Sequence, residues 1–157
     1  MKVCKFGGSS LANAEQIRKV CDIMLSDPDR SVMVVSAPGK RTKEDTKVTD
    51  LLIALANARI SGYDGQGELA AVIRRFAAIA DDLGLSDDCM AAIEADLRER
   101  SCADCTNSLK FMDLLKAAGE DNCAKLVADY LKSLGREAAY FDPRTSGLIL
   151  TEEFGNA

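Results

Sequence analysis

A chain of 157 residues, 47% of them apolar, is long enough to bury one domain's core and too apolar for a disordered tail. Its charge of −5, scattered lysines and arginines, lack of any apolar run near the roughly 18 residues of a membrane span, and lack of a signal-peptide pattern set aside nucleic acid, membrane and secretion in favour of the cytoplasm. The absence of histidine removes Ser-His-Asp and Cys-His catalysis, leaving lysine, carboxylates and backbone dipoles to carry any chemistry.

Val3-Cys4-Lys5-Phe6 reads as a short strand broken by Gly7-Gly8-Ser9-Ser10. Asn13 with Gln16 has the spacing of a capping box. Ile17, Val20, Cys21 and Met24 then recur at helical spacing, and Asp27-Pro28-Asp29 ends that helix. The unbroken run Ser31-Val32-Met33-Val34-Val35 suits a parallel strand covered on both faces, making strand, helix and strand one βαβ unit. The residues from Ser36 to Asp45 form a polar, turn-rich loop expected to be mobile. Three apolar stripes follow: Val48 to Leu55, Leu69 to Leu83, and Asp87 to about Lys116 with a break near Cys105-Thr106-Asn107. Gly119-Glu120 is read as opening a further helix closed by Gly135, Ala138-Ala139-Tyr140-Phe141 as a third strand, and Leu148-Ile149-Leu150 as a fourth. The expected class is α/β, one domain over 1–157. Three or four strands are few for a doubly wound sheet, so the lobe reads as incomplete.

The strongest chemical signal is Lys5-Phe6-Gly7-Gly8-Ser9-Ser10 between strand and helix. Adjacent glycines let backbone N–H groups approach an anion, the next helix N-terminus adds partial positive charge, and Lys5 lies at the strand's carboxyl end, where open α/β sheets bind ligands. A plain tight turn with a solvated Lys5 is the alternative. Gly65-Gln66-Gly67-Glu68-Leu69-Ala70 matches a dinucleotide fingerprint but follows a helix and is read as coincidence. At Ser36-Ala37-Pro38-Gly39 with Thr49, hydroxyls could hold a substrate carboxylate or amine, or could serve only as strand end and helix cap; both readings stand. Glu120 could likewise be a counter-ion for an ammonium group or simply a dipole partner. The six cysteines are read mainly as small hydrophobes, with Cys102-Ala-Asp-Cys105 set inside a helical stretch, so a redox role is disfavoured. No metal ligands are assigned.

Together Lys5-Phe6-Gly7-Gly8-Ser9-Ser10, Val34-Val35-Ser36-Ala37-Pro38-Gly39, Val48-Thr49-Asp50-Leu51-Leu52, Gly119-Glu120 with Ala124-Lys125-Leu126, Tyr140-Phe141-Asp142-Pro143 and Gly155-Asn156-Ala157 resemble the aspartokinases of the amino-acid kinase superfamily. The resemblance implies a three-layer αβα sandwich with a mainly parallel sheet. It also implies ATP- and Mg²⁺-dependent phosphorylation of the side-chain carboxylate of L-aspartate, the entry to lysine, threonine and methionine biosynthesis. On that reading Lys5 contacts the transferring phosphoryl group, Gly7, Gly8 and Ser9 donate to it, Ser36 and Thr49 lie beside aspartate, and Glu120 pairs with its ammonium group. Ala117 stands where such proteins usually carry serine. The chain would be the substrate-binding, N-terminal part of the kinase domain, without the nucleotide half or the regulatory ACT domains, inactive alone and prone to form a homo-oligomer. A glutamate kinase of the same superfamily and a non-catalytic anion-binding module are the competing readings.

Overall fold

The computed structural model describes residues 1–149, 151 and 153–155. Strand β1 (Lys2–Lys5) runs into a 3₁₀ turn (Gly8–Leu11), helix α1 (Ala14–Leu25) and strand β2 (Arg30–Val34). Helices α2 (Val48–Ile60), α3 (Gln66–Leu83), α4 (Asp87–Ser101) and α5 (Ser108–Ser133) complete the regular structure. The β1–α1–β2 unit is the expected crossover, with β1 and β2 parallel and Val3 beside Val32, Cys4 beside Met33 and Lys5 beside Val34.

Local chemistry accounts for the boundaries. The Asn13 side chain accepts the Gln16 N–H at 3.0 Å and caps α1, whose Ile17, Val20, Cys21 and Met24 are all buried. Gly84 at φ +71° closes α3 and Gly135 at φ +73° follows α5, the left-handed positions that glycine tolerates. The core lies among the helices: Leu52, Leu55, Phe76, Ile93, Leu97 and Phe111 are essentially sealed from solvent. Helix α2 packs between α3 and α5, and α4 closes the group against α3 and α5. The buried thiols of Cys21, Cys89 and Cys123 behave as core hydrophobes, pushed up by desolvation to about 11, about 12 and about 12.

Several expectations change. The sheet has two strands among the described residues. Residues 138–141 are not a strand and have no strand partner among the described residues, and Phe141 is 77% exposed. Leu148 and Ile149 are likewise exposed and irregular, while Leu150 lies outside the described residues, as do Asn156 and Ala157. Nor is β2 covered on both faces, because Val3, Val32 and Val34 face solvent. An apolar run marks a strand but cannot say whether both its faces meet a partner. Gly119 and Glu120 do not open a helix; they sit midway along α5. The Cys102–Cys105 pair lies in the break between α4 and α5, and all six cysteines are free. The turn-rich loop is also more tightly held than expected, since the backbone N–H and guanidinium of Arg41 donate to the Asp45 carboxylate at 2.8–2.9 Å.

Candidate functional site

Both parallel strands end at the same edge of the sheet, so the Gly7-Gly8 turn after β1 and the Ser36–Gly39 turn after β2 emerge side by side. They touch backbone to backbone. The Gly39 N–H donates to the Gly8 carbonyl at 2.8 Å. A Cβ on Gly39 would stand 2.6 Å from the Gly8 carbonyl carbon and oxygen, and one on Gly8 would stand 2.8 Å from the Ala37 carbonyl oxygen. Glycine is required at both places because the opposing atoms are main chain and cannot rotate away.

Helix α2 joins this contact at its first residue, where the Val48 N–H donates to the Pro38 carbonyl at 3.0 Å. That bond brings Thr49, the second residue of α2, to the Pro38 turn. Helix α5 enters from another side through Gly119: a Cβ there would lie 2.7 Å from Ala37 Cβ and 3.1 Å from Leu52 Cδ1. The mid-helix glycine is a close-approach residue, and it sets Glu120 next to the same turn. All four predicted segments therefore meet around Ala37, Pro38 and Gly39.

Lys5 is the last residue of β1 and is exposed, on the strand face shared with Val3. Among the described residues its ammonium group has no carboxylate partner, and no acceptor takes the amides of Gly7, Gly8 or Ser9. The helix-dipole part of the expectation needs correction. A separate 3₁₀ turn, which Gly8 itself begins, follows, and α1 starts only at Ala14, where the Asn13 side chain accepts the Gln16 N–H, so five residues lie between Gly8 and the first residue of that helix. Ser36 and Thr49 are half-buried, and among the described residues neither hydroxyl has a hydrogen-bond partner. The cap of α2 is Lys47, so Thr49 is free of that duty. Glu120 reaches solvent, yet its carboxyl is raised by desolvation first and by neighbouring Asp121 second, with Lys116 opposing. Lys116 instead pairs with Asp113 at 3.0 Å, leaving Glu120 unpaired among the described residues.

Arg75 was missed. Only 5% exposed, it donates from Nη2 to the carbonyls of Ala12 and Gly39 at 2.8 Å each and lies 3.3 Å from the Asp45 carboxylate. A signal existed: Val72, Arg75, Phe76 and Ile79 share one helical stripe, so Arg75 occupies a core position in an otherwise apolar row. The Gly65 fingerprint, by contrast, follows α2 and a turn, as read from the sequence. A cleft of about 600 Å³ runs along β2 toward 136–141 and is lined chiefly by Met24, Leu25, Val32, Val127 and Leu131. It lies away from the glycine turns and gathers none of the candidate residues.

Residues 1–156 match the model of the amino acid kinase family. Aspartokinase 3 of Bacillus subtilis (strain 168) is 47% identical over 157 residues, covering 100% of this chain and 35% of that protein. The chloroplastic aspartokinase 2 of Arabidopsis thaliana is 29% identical over 99% of this chain and 29% of its own length. The crystal structure of Clostridium acetobutylicum aspartate kinase superposes with a TM-score of 0.69 at 31% identity, covering 83% of this chain and 29% of that one. E. coli aspartokinase III in complex with aspartate and ADP gives 0.63 at 26% identity, covering 90% and 31%. The chain thus spans about a third of the length of these relatives.

Proposed function

This chain belongs to the amino acid kinase family, and we propose that it forms the aspartate-binding part of an aspartokinase, which transfers the γ-phosphoryl group of ATP to the side-chain carboxylate of L-aspartate. The observation that carries the reading is the meeting of the two glycine turns with Thr49 and Glu120 around Pro38. Among the described residues it brings amide donors without acceptors, hydroxyls without partners and a carboxylate without a counter-ion to one edge of the sheet. The bound aspartate of the E. coli relative supplies the acceptor's identity and its ADP the nucleotide's.

The nucleophile needs no general base, because an aspartate side chain with a pKa near 3.9 is already ionised at neutral pH. The obstacle is electrostatic: one anion must approach another in line. Lys5 and the amides of Gly7, Gly8 and Ser9 offset that repulsion and stabilise charge on the transferring group. Ser36 and Thr49 orient aspartate through their hydroxyls, and Glu120 pairs with its ammonium group. The Glu120 carboxyl is raised by partial desolvation and by Asp121 although it reaches solvent, and an arriving cation would relieve the cost of its charge. Mg²⁺ is expected to accompany ATP. Among the described residues no group of three acidic or thiol side chains is placed to hold it, so no step is routed through the ion.

Residues 1–157 constitute, on this reading, the substrate-binding part of a longer kinase domain that needs its nucleotide half for turnover. A cytoplasmic location accompanies it; no helix among the described residues is long and apolar enough to cross a membrane. Self-association is a further part of the proposal, with the bare valines of the sheet as the first surface to examine.

The test is aspartyl hydroxamate formation by the full-length protein with aspartate and glutamate in parallel. Aspartate is expected to react and glutamate not, and Lys5→Ala should lower kcat about 10²- to 10³-fold with an unchanged unfolding midpoint. Near-normal turnover by Lys5→Ala, or a preference for glutamate, overturns the assignment.

A further inference from the structure

Charged side chains are seldom buried without a reason, because losing water costs more than one ordinary contact returns. Arg75 lies inside helix α3 where an apolar residue would complete the stripe, and desolvation pulls its guanidinium down from the ordinary arginine value while Asp45 opposes that effect. Its contacts are not generic core contacts. One terminal nitrogen bonds the Ala12 carbonyl at the end of the 3₁₀ turn that Gly8 begins, and also the Gly39 carbonyl at the end of the turn that Ser36 begins. Asp45, itself tied to Arg41, brings the 40–47 loop to the same nitrogen.

We propose that Arg75 is a positioning residue. A single Nη2 group holds the Gly7-Gly8 turn and the Ser36–Gly39 turn at fixed separation, keeping phosphoryl-binding amides and acceptor-binding hydroxyls in register. The inference rests on the functional reading given above for those two turns. Between Gly8 and Gly39 the turns share one direct hydrogen bond, which acts as a hinge, and Arg75 supplies a second fastening from behind. Two fastenings define an orientation where one defines only a contact. Phosphoryl transfer is sensitive to such alignment, since displacements of about 1 Å cost on the order of 10²-fold in rate. Arg75 does not touch substrate on this account; it acts through the two backbones.

The experiment uses the full-length protein and the variants Arg75→Met, Arg75→Gln and Arg75→Lys. Methionine keeps the length and loses every donor, so kcat per folded molecule should fall at least tenfold while KM for aspartate stays within threefold. Glutamine, a milder change in case methionine prevents folding, should lower kcat at least fivefold. Lysine offers three N–H donors on one nitrogen to the same three acceptors and should restore kcat to within threefold of the parent. A purely structural role would lower the unfolding midpoint and leave kcat per folded molecule near normal, which overturns the proposal. Amide hydrogen exchange gives a readout independent of activity: exchange at Ser10, bonded to the Gly7 carbonyl, and at Gly39, bonded to the Gly8 carbonyl, should rise at least tenfold in Arg75→Gln while the centre of α5 is unchanged. If the parent protein does not phosphorylate aspartate, the functional reading fails, and the exchange result alone decides Arg75. Unchanged exchange at those amides overturns its role.

Discussion

The two ends of the chain meet the helical core in opposite ways. Around Ala37, Pro38 and Gly39, segments far apart in sequence touch through main-chain atoms and absent side chains, with Arg75 locked behind them. Residues 135–149 instead run over the surface with Phe141, Leu148 and Ile149 exposed, and polar contacts such as Tyr140 to Asp121, and beyond them the Gly155 N–H to Asp113, attach this region. A backbone contact has no rotamer with which to adapt, so the first region should tolerate almost nothing. A polar surface attachment has water as an alternative partner, so the second should tolerate much.

The sharpest way to break this comparison is Gly39→Ala. The new methyl would sit 2.6 Å from the Gly8 carbonyl, where only backbone movement can relieve the clash. Overpacking of this kind costs about 3 kcal/mol, and separating the turns should lower kcat of the full-length enzyme at least 100-fold. Chemical denaturation and the hydroxamate assay read both effects; a fully active, equally stable variant would mean that the turns are not in contact.

Gly119→Ala is the next step down. Alanine is favoured over glycine inside a helix by roughly 0.5–1 kcal/mol, which offsets part of the clash with Ala37 Cβ at 2.7 Å. The expected net cost is about 1–2 kcal/mol. The functional effect should be larger than the stability effect, because α5 carries Glu120 away from the turn with it. A rise of at least tenfold in KM for aspartate is expected, and an unchanged KM would detach Glu120 from the substrate pocket.

How far these features were legible depended on how local their cause is. The α1 stripe and its Asn13 cap follow from neighbours three and four residues apart, and both appear as read. Lys5-Phe6-Gly7-Gly8 announced a turn with amides to offer, which the structure also has. Gly119-Glu120 misled because a glycine inside a regular stripe looks like a boundary, whereas Leu115, Ala118, Asn122 and Leu126 carry the buried face straight through it. What glycine does there depends on Ala37, more than eighty positions away, and no local pattern encodes that. The reading of 138–141 as a strand failed for the same reason: its apolar residues suit a strand, but a strand exists only where an edge accepts it. Arg75 was visible as a misfit in a stripe, and its three acceptors were not.

Glu120→Gln sharpens the comparison through pH. The folded-state carboxyl is raised above its ordinary 4.5, so Glu120 binds its proton more tightly folded than unfolded. Its contribution to stability is complete below pH 4.5 and is lost as pH rises through the folded value. The glutamine variant should therefore be the more stable protein at pH 7, with the advantage vanishing toward pH 4.5, while its KM for aspartate rises at least tenfold. Such a pairing of stability gained and binding lost is expected where a strained charge serves a ligand. An advantage that grows toward acid would reverse the sign and remove the argument.

The smallest effect belongs to the second region. The Tyr140 hydroxyl donates to Asp121 Oδ1 at 2.7 Å, but Asp121 also pairs with Arg100, and Lys125 stands 5.5 Å from the ring centre. In Tyr140→Phe the ring and the Lys125 contact remain, and the carboxylate keeps a buried guanidinium, so no charge is orphaned. Loss of one hydrogen bond of this kind costs about 1 kcal/mol. Turnover should stay within twofold of the parent, since Asp121 borders Glu120 without touching the glycine turns. The decisive measurement is a double variant with Gly119→Ala: additive stability effects would place the C-terminal segment outside the constraint that governs the turns, whereas strong coupling would mean that α5 transmits one region's geometry to the other.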